Sequence, residues 1–282
     1  MLRENMARIK LITDSTSDLT QEEIEFYNIA VIPMKVTIDG EDFDGIDNEE
    51  YIYRMRDAKQ FSTSQPAVGL FMDAYKKWTE KGYEIISLHV SSALSGTYNT
   101  AFCVAQDYKG VHVVDTMTAT CGMKYFIKDA YDYIKEGKNV KDIVELLVAK
   151  QKKVLTYVTI DKLDNLVRSG RLKKTAGLIG NFLNLKILTK LLPDELVVLD
   201  KVRGKKKLVQ ALINAIKKDV ENKKIKTISL VNVLSYEYID MVREKMLEVF
   251  DYQVLDKNIV ITTPAVSTHA GEGAVGVMIE VE

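Results

Sequence analysis

Residues 83–108 read YEIISLHV, then SSALSGT, then YNTAFCVAQDY: an apolar run, a hydroxyl-rich turn and a helical stretch in immediate succession. A strand whose apolar residues run on without alternation is covered on both faces, which is the environment of a parallel sheet. The turn carries Ser91, Ser92, Ser95 and Thr97 with Gly96 among them. A helix beginning near Gly96 or Thr97 aims unpaired N–H groups and the positive end of its dipole at whatever lies beyond the strand ends. Glycine permits close approach of the backbone, and the hydroxyls add neutral donors. These are parts for holding a carboxylate or phosphate.

The same strand-then-helix alternation extends in both directions. RIKLITDST reads as a buried strand, and TQEEIEFYN as a helix with Thr20 at its N-cap and Glu23 closing a capping box. AVIPMKVTI reads as a second strand, NEEYIYRMRDA and AVGLFMDAYKKWTEKG as helices, and VHVVDT as a fourth strand before a long helix stopped by Gly137. The later half changes character. VLTYVTI, LKILTKLL, ELVVLDKV, KTISLVNV, YQVLDKNIVITT and GAVGVMIEVE read as strands, several joined by short connections, with two amphipathic helices among them. The expected fold is α/β in two domains: a parallel-sheet α/β domain over residues 1–155, and an α+β domain with a largely antiparallel sheet over residues 156–282.

Composition narrows the function classes. The chain of 282 residues carries 39 basic and 40 acidic side chains, which gives no general attraction to nucleic acid or a membrane surface. No apolar run approaches the roughly 20 residues of a membrane span, and the opening MLRENMARIK lacks a secretory signal's apolar stretch. The expectation is a cytoplasmic protein. Cys103 and Cys121 show no metal-ligand spacing and are expected to be small buried hydrophobes. With three histidines in all, a multi-histidine metal site is not expected.

Other unusual stretches join the first. DSTSDL (residues 14–19) follows strand one and lies at the same edge of a parallel sheet, where ligand crevices form. FSTSQP (residues 61–66) lies between helices and is expected to fold over that edge. Each has a purely local reading as well: a capped turn for DSTSDL, an N-cap cluster for SSALSGT, a proline-led helix start for TSQP. PAVSTHAGEGAVGV (residues 264–277) reads as a close-packed loop, and His269 is its candidate ligand-binding residue. His89 and His112 lie in strand patterns and are expected to be structural. RSGRLKK (residues 168–174) and KVRGKKK (residues 201–207) are either solvated faces or docking points for an acidic partner or phosphate. Ser95 with His269 and Asp14 composes on paper a hydrolase triad, but the GxSxG elbow is missing. Binding is the preferred reading, and a serine hydrolase acting on an acyl or phosphoester substrate through Ser95 is the alternative.

Taken together, ITDSTSDL, TSQP, SSALSGTYNTA, the DT after strand four, RSGRLKK, KVRGKKK and THAGEGAVG resemble the DegV family in order and spacing over nearly the whole chain. That family includes the fatty-acid-binding subunits of bacterial fatty acid kinase. The resemblance implies two α/β domains with a long-chain fatty acid buried between them and no cofactor or metal. It implies a carboxylate held by Thr63, Ser95 and His269, supported by Asp14, Ser15, Ser64, Ser92 and Gly96, with the tail in a tunnel for which AGLIGNFLNLKIL offers walls. It implies a non-catalytic carrier in phospholipid metabolism that presents the acid to a separate ATP-using kinase, Arg203 and Arg171 serving phosphoryl transfer or partner contact. Three positions depart from the family pattern. Glu272 replaces the proline of a His-x-Gly-Pro-Gly loop, NLKILTKL loses the proline of the usual NIKPIL, and Asp194–Glu195 replaces a DG turn. A glutamate beside an anion site repels the anion unless it points away from it.

Overall fold

The structure, a computed structural model, describes residues 8–43, 47–161, 166, 170–171 and 185–282. It divides into two compact units, residues 1–35 with 64–152 and residues 36–63 with 153–282. A single cut at residue 155 assigns residues 36–63 to the first domain, whereas in the structure they belong to the second unit. Elements are numbered along the whole chain.

The first unit holds β1 (Arg8–Asp14), α1 (Gln21–Tyr27), β2 (Ala30–Ile32), α3 (Val68–Thr79), β6 (Tyr83–His89), α4 (Thr97–Ala105), β7 (Val111–Asp115), α5 (Cys121–Lys135) and α6 (Val140–Lys150). Its sheet has the order β2-β1-β6-β7, parallel throughout. Leu11 and Ile12, on opposite faces of β1, are both buried, as are Ile85 and Ile86 of β6. Ile12, Ile85, Phe71 and Tyr75 pack with Ala101 and Val104 of α4. The capping box of α1 forms as expected, Thr20 accepting from Glu23 N–H and Glu23 from Thr20 N–H. The chain leaves β1 toward β2 on one side, and β6 lies on the other, so a topological switch falls between β1 and β6. Their carboxyl ends carry DSTSDL and SSALSGT.

The second unit contains β3 (Lys35–Ile38), β4 (Glu41–Phe43), α2 (Asn48–Asp57), β5 (Phe61–Ser64), β8 (Val154–Ile160), β9 (Leu185–Leu191), β10 (Leu196–Arg203), α7 (Lys205–Asp219), β11 (Ile225–Asn232), α8 (Tyr236–Phe250), β12 (Ile259–Ile261), α9 (Pro264–Ala270) and β13 (Val275–Val281). Its large sheet runs β10-β9-β8-β13-β11-β12, antiparallel except for β11 with β12. Tyr157, Leu212, Ile216, Ile228, Val242, Met246 and Ile279 meet in the core that α7 and α8 close. A smaller sheet has the order β4-β3-β5.

Four local readings change. AVIPMKVTI is two strands in two sheets, because Pro33 offers no N–H to a ladder. FSTSQP lies between α2 and α3 as expected, but Phe61–Ser64 within it pairs as β5, with β-branched and aromatic residues on the pleat. PAVSTHA is helix α9 rather than loop, started by Pro264, whose fixed φ suits the first helical position. Cys103 is exposed on α4, while Cys121 is buried and its thiol is pushed up by burial. The segment 176–184, expected to wall a tunnel, lies outside the described residues; beyond it Ile187 and Leu188 are ordinary core.

One buried network fixes the switch point. Tyr75 Oη donates to Ser87 Oγ (3.1 Å), and Ser87 pairs with His89 Nε2 (2.7 Å). His89 Nδ1 in turn meets Asp14 Oδ2 (3.0 Å). Asp14 Oδ2 also accepts from Val90 N–H, and its Oδ1 accepts from Thr16 N–H and the Thr16 hydroxyl. Asp14, Ser87 and His89 are wholly inaccessible to solvent. One carboxylate thus ties the first residues of both hydroxyl-rich turns together. Burial alone raises a carboxyl pKa, but the bonds from His89, Thr16 and Val90 outweigh it and hold Asp14 below the usual range. Asp14→Asn removes the charge from this pair and is expected to cost about 3 kcal/mol in chemical denaturation at neutral pH. Because the folded-state pKa is depressed, the Asp14 contribution is present above the ordinary carboxylate pKa and is lost as pH falls through the lower folded value. The wild-type and Asp14→Asn unfolding curves are therefore expected to converge in acid.

Candidate functional site

Most hydroxyls of the first unit's strand ends turn inward. Thr116 Oγ1 donates to His89 O (2.8 Å), Ser91 N–H donates to Thr118 O (2.9 Å), and Thr120 N–H donates to Thr16 O (3.0 Å). Ser91, Thr116 and Thr118 are fully buried. Ser15 Oγ accepts from Met34 N–H (2.9 Å), and Ser92 N–H donates to Asp115 Oδ2 (3.1 Å). Asp14 and Ser15 therefore position the turns, and Asp14 is sealed from any ligand. Ser95, half-buried, accepts from Thr97 N–H (3.3 Å), and its hydroxyl is hydrogen-bonded to Thr97 Oγ1 (2.8 Å) at the start of α4. Within the first unit Asp14 is bonded to His89, and within the second His269 Nε2 is bonded to Thr63. The Ser87–His89–Asp14 chain has a triad's connectivity but no exposure, so no substrate reaches it.

The TSQP and LSGT stretches do meet, through Gln65, a residue the sequence reading passed over. Gln65 Nε2 donates to Thr100 Oγ1 (2.6 Å) on the first turns of α4. A Cβ on Gly96 would lie 2.0 Å from Gln65 Oε1, so glycine is what lets the glutamine lie across the helix start. Ser64, next to Gln65, is exposed.

In the second unit, Thr63 and His269 come together across 206 residues of sequence, Thr63 Oγ1 to His269 Nε2 at 2.6 Å. The first sits in β5, the second in the last turn of α9, and both line a cavity of about 600 Å³ with Thr37, Asp39, Lys59, Arg171 and Thr268. The rim is fixed by Asp39, whose carboxylate accepts from Lys59 and Gln60 N–H (3.0 and 2.8 Å). Burial, reinforced by the positive charge of Arg171, pushes the His269 pKa down to about 4. The imidazole is thus neutral at pH 7, with one ring proton. Among the described residues its Nδ1 is buried without a hydrogen-bond partner. Leaving a buried polar atom unpartnered costs about 1–3 kcal/mol.

Glu272, the departure beside His269, is taken up by Arg56 of α2 in a two-pronged pair, Nη2–Oε1 2.6 Å and Nε–Oε2 2.8 Å. Its charge is matched inside the protein. Arg203 is exposed at the end of β10, followed by Gly204 at φ 88. Of RSGRLKK only Gly170 and Arg171 are described. Among the described residues no group of three or more His, Cys, Asp or Glu side chains is placed to hold a metal ion. Nor is any helix among them long and apolar enough to cross a membrane.

His269 is expected to titrate near pH 4 by NMR in the ligand-free protein. A lowered histidine pKa means the unfolded chain binds a proton first, so this group's contribution to stability falls as pH drops from about 6.5 toward 4. A bound carboxylate is expected to raise the titration, because an anion favours the imidazolium. A midpoint that ignores carboxylate ligands contradicts the site.

Comparison with known proteins agrees over the full length. The family model for DegV, described as an uncharacterised protein family, matches residues 8–282. A DegV domain-containing protein of Staphylococcus aureus (strain COL) is 36% identical over 278 residues, covering 97% of this chain and 99% of that one. A DegV domain-containing protein of Listeria innocua is 35% identical over 279 residues, with the same coverage of 97% and 99%. Among solved structures, a fatty-acid-binding DegV family protein from Thermus thermophilus superposes with a TM-score of 0.86 at 26% identity, covering 98% of this chain and all of that one. A DegV lipid-binding protein from Thermotoga maritima superposes with a TM-score of 0.83 at 29% identity, covering 97% and 98%. The chain described here belongs to the DegV family.

Proposed function

We propose that this protein binds a long-chain fatty acid and holds its carboxylate at Thr63 and His269. The observation that carries the reading is the Thr63–His269 pair, lining a cavity of about 600 Å³ with a neutral imidazole whose Nδ1 has no hydrogen-bond partner among the described residues. A carboxylate brought out of water needs donors. While the pair stays joined it offers one: His269 Nδ1–H when the Thr63 hydroxyl donates to Nε2, or the Thr63 O–H when Nε2–H donates to Thr63. Arg171 in the lining adds a positive charge. The tail supplies affinity, at about 0.8 kcal/mol per buried methylene. The names of the Thermus and Thermotoga relatives, which bind fatty acid or lipid, support the choice of ligand. Family resemblance assigns Ser95 to the same carboxylate. It gives Gly96, Ser92 and Ser64 supporting roles; the cytoplasmic setting remains the expectation from composition.

On the same reading the bound acid is a substrate for a separate ATP-using kinase. A carboxylate oxygen attacks the γ-phosphorus of ATP, the bond to the β-phosphate oxygen breaks, and acyl phosphate and ADP result. Arg171, close enough to bear on His269, is suited to stabilise the added charge. Arg203, exposed, is suited to partner contact. The protein itself is a carrier in this scheme and needs no cofactor.

The test is a fatty acid binding titration. Thr63→Ala and Ser95→Ala are each expected to lose about 2 kcal/mol of affinity, about thirtyfold, the worth of one hydrogen bond to a charged group. Thermal unfolding of ligand-free Ser95→Ala is expected to stay close to wild type, and that of Thr63→Ala to fall only by the loss of its bond to His269 Nε2. Equal loss of ligand-free stability in both would instead make these hydroxyls local caps. Ester hydrolysis by the wild type that vanishes in Ser95→Ala would establish the hydrolase alternative.

A further inference from the structure

Helix α2 holds no motif, yet its side chains grip residues on both sides of His269. Tyr51 and Thr268 are both buried, and their hydroxyls are 2.6 Å apart. Thr268 spends its own proton on Pro264 O, one turn back in α9 (2.7 Å), so Tyr51 is the donor. Three residues after His269, Glu272 receives the two-pronged grip of Arg56. Two further ties seat the start of α2 on the same unit. Asn48 Nδ2 donates to Ile261 O (2.9 Å), and Tyr236 Oη donates to Glu49 Oε1 (3.0 Å). Ile52 and Met55 are buried between these polar anchors. The helix is itself capped at Asp47, whose carboxylate accepts from Glu49 and Glu50 N–H.

We propose that α2 is the positioning element for His269, Tyr51 fixing the residue before it and Arg56 fixing the turn after it, so that Nε2 meets Thr63. The assignment rests on the reading of His269 as a carboxylate-binding residue. A seven-residue helix ending in Gly271 has little stiffness of its own, and a rotation of α9 would carry the imidazole away from β5. Tyr51 prevents that rotation from inside. Arg56 does so from the exposed side, and its fork geometry suits a carboxylate better than a single point charge does. Glu272 therefore acts as an anchor point for α2 in this chain, in place of the rigidity a proline would give the loop.

Two variants with different risks test this. Tyr51→Phe removes only the buried hydroxyl; Arg56→Glu breaks the exterior grip, and Arg56→Glu with Glu272→Arg rebuilds it with the charges exchanged. The readouts are the His269 imidazole nitrogen shifts in ligand-free protein and the affinity for a long-chain fatty acid such as stearate. Each single variant is expected to move the imidazole shifts and weaken binding by about three- to tenfold, within the range of one interaction's loss. The exchanged pair is expected to recover both, while the thermal midpoint of the Arg56 variants stays near wild type. Single variants with unchanged His269 shifts and unchanged affinity, or an exchanged pair no better than Arg56→Glu, would overturn the proposal. Wild-type protein that binds no fatty acid, yet shows the shift changes and their recovery, defeats the ligand reading and leaves the positioning role standing.

Discussion

The Asp14 carboxylate lies out of reach of water and finds every partner inside the protein: an imidazole, two backbone N–H groups and a hydroxyl. Because those partners come from the turns after β1 and β6, satisfying one buried charge fixes the geometry of both. The bonds run in sequence from Tyr75 through Ser87 and His89 to the carboxylate, each group polarising the next. Of the hydroxyls in those turns the anchor uses Thr16, while Ser17, Ser91 and Thr97 are buried in other contacts. His269 presents the opposite case. It too is largely enclosed, but one of its nitrogens has no partner among the described residues, and enclosure together with Arg171 keeps it neutral. A finished network marks structure; an unfinished one marks the place where chemistry from outside is expected.

The distinction explains which parts of the molecule were legible in its sequence. Local signals were read correctly where their partners are local: the Thr20–Glu23 capping box, the helix start at Thr97, the apolar runs of β1 and β6. The parallel sheet followed from those runs, and the later mixed sheet from short connections. Thr63 and His269 were singled out through motif order and resemblance, since nothing in periodicity joins residues 206 apart. Asp14 was read as a ligand contact because a carboxylate at a strand end looks the same whether it faces a crevice or a buried histidine 75 residues on. Gln65, Tyr51 and Arg56 gave no signal for the same reason. Pro33 was the exception, a local cue strong enough to split AVIPMKVTI, and it was passed over in favour of the apolar run around it.

Glu272 shows why a departure from a family pattern has to be weighed with its surroundings. Read alone, an extra carboxylate three residues from His269 argues against an anion site. In the structure its charge is met by the fork of Arg56, and the pair joins a helix without motifs to the loop behind the histidine. At this position the loop is held to α2 through Arg56. Lys59 and Arg171 outnumber Asp39 among the charged groups lining the cavity, so its charge is net positive.

The central claim is that the protein carries a fatty acid, and the most direct measurement is mass spectrometry of the organic extract of freshly purified protein that has never met detergent. The account predicts long-chain fatty acid at close to one molecule per chain, released on denaturation and sharply reduced in Thr63→Ala. An extract without fatty acid, from protein that also refuses added fatty acid, would contradict it.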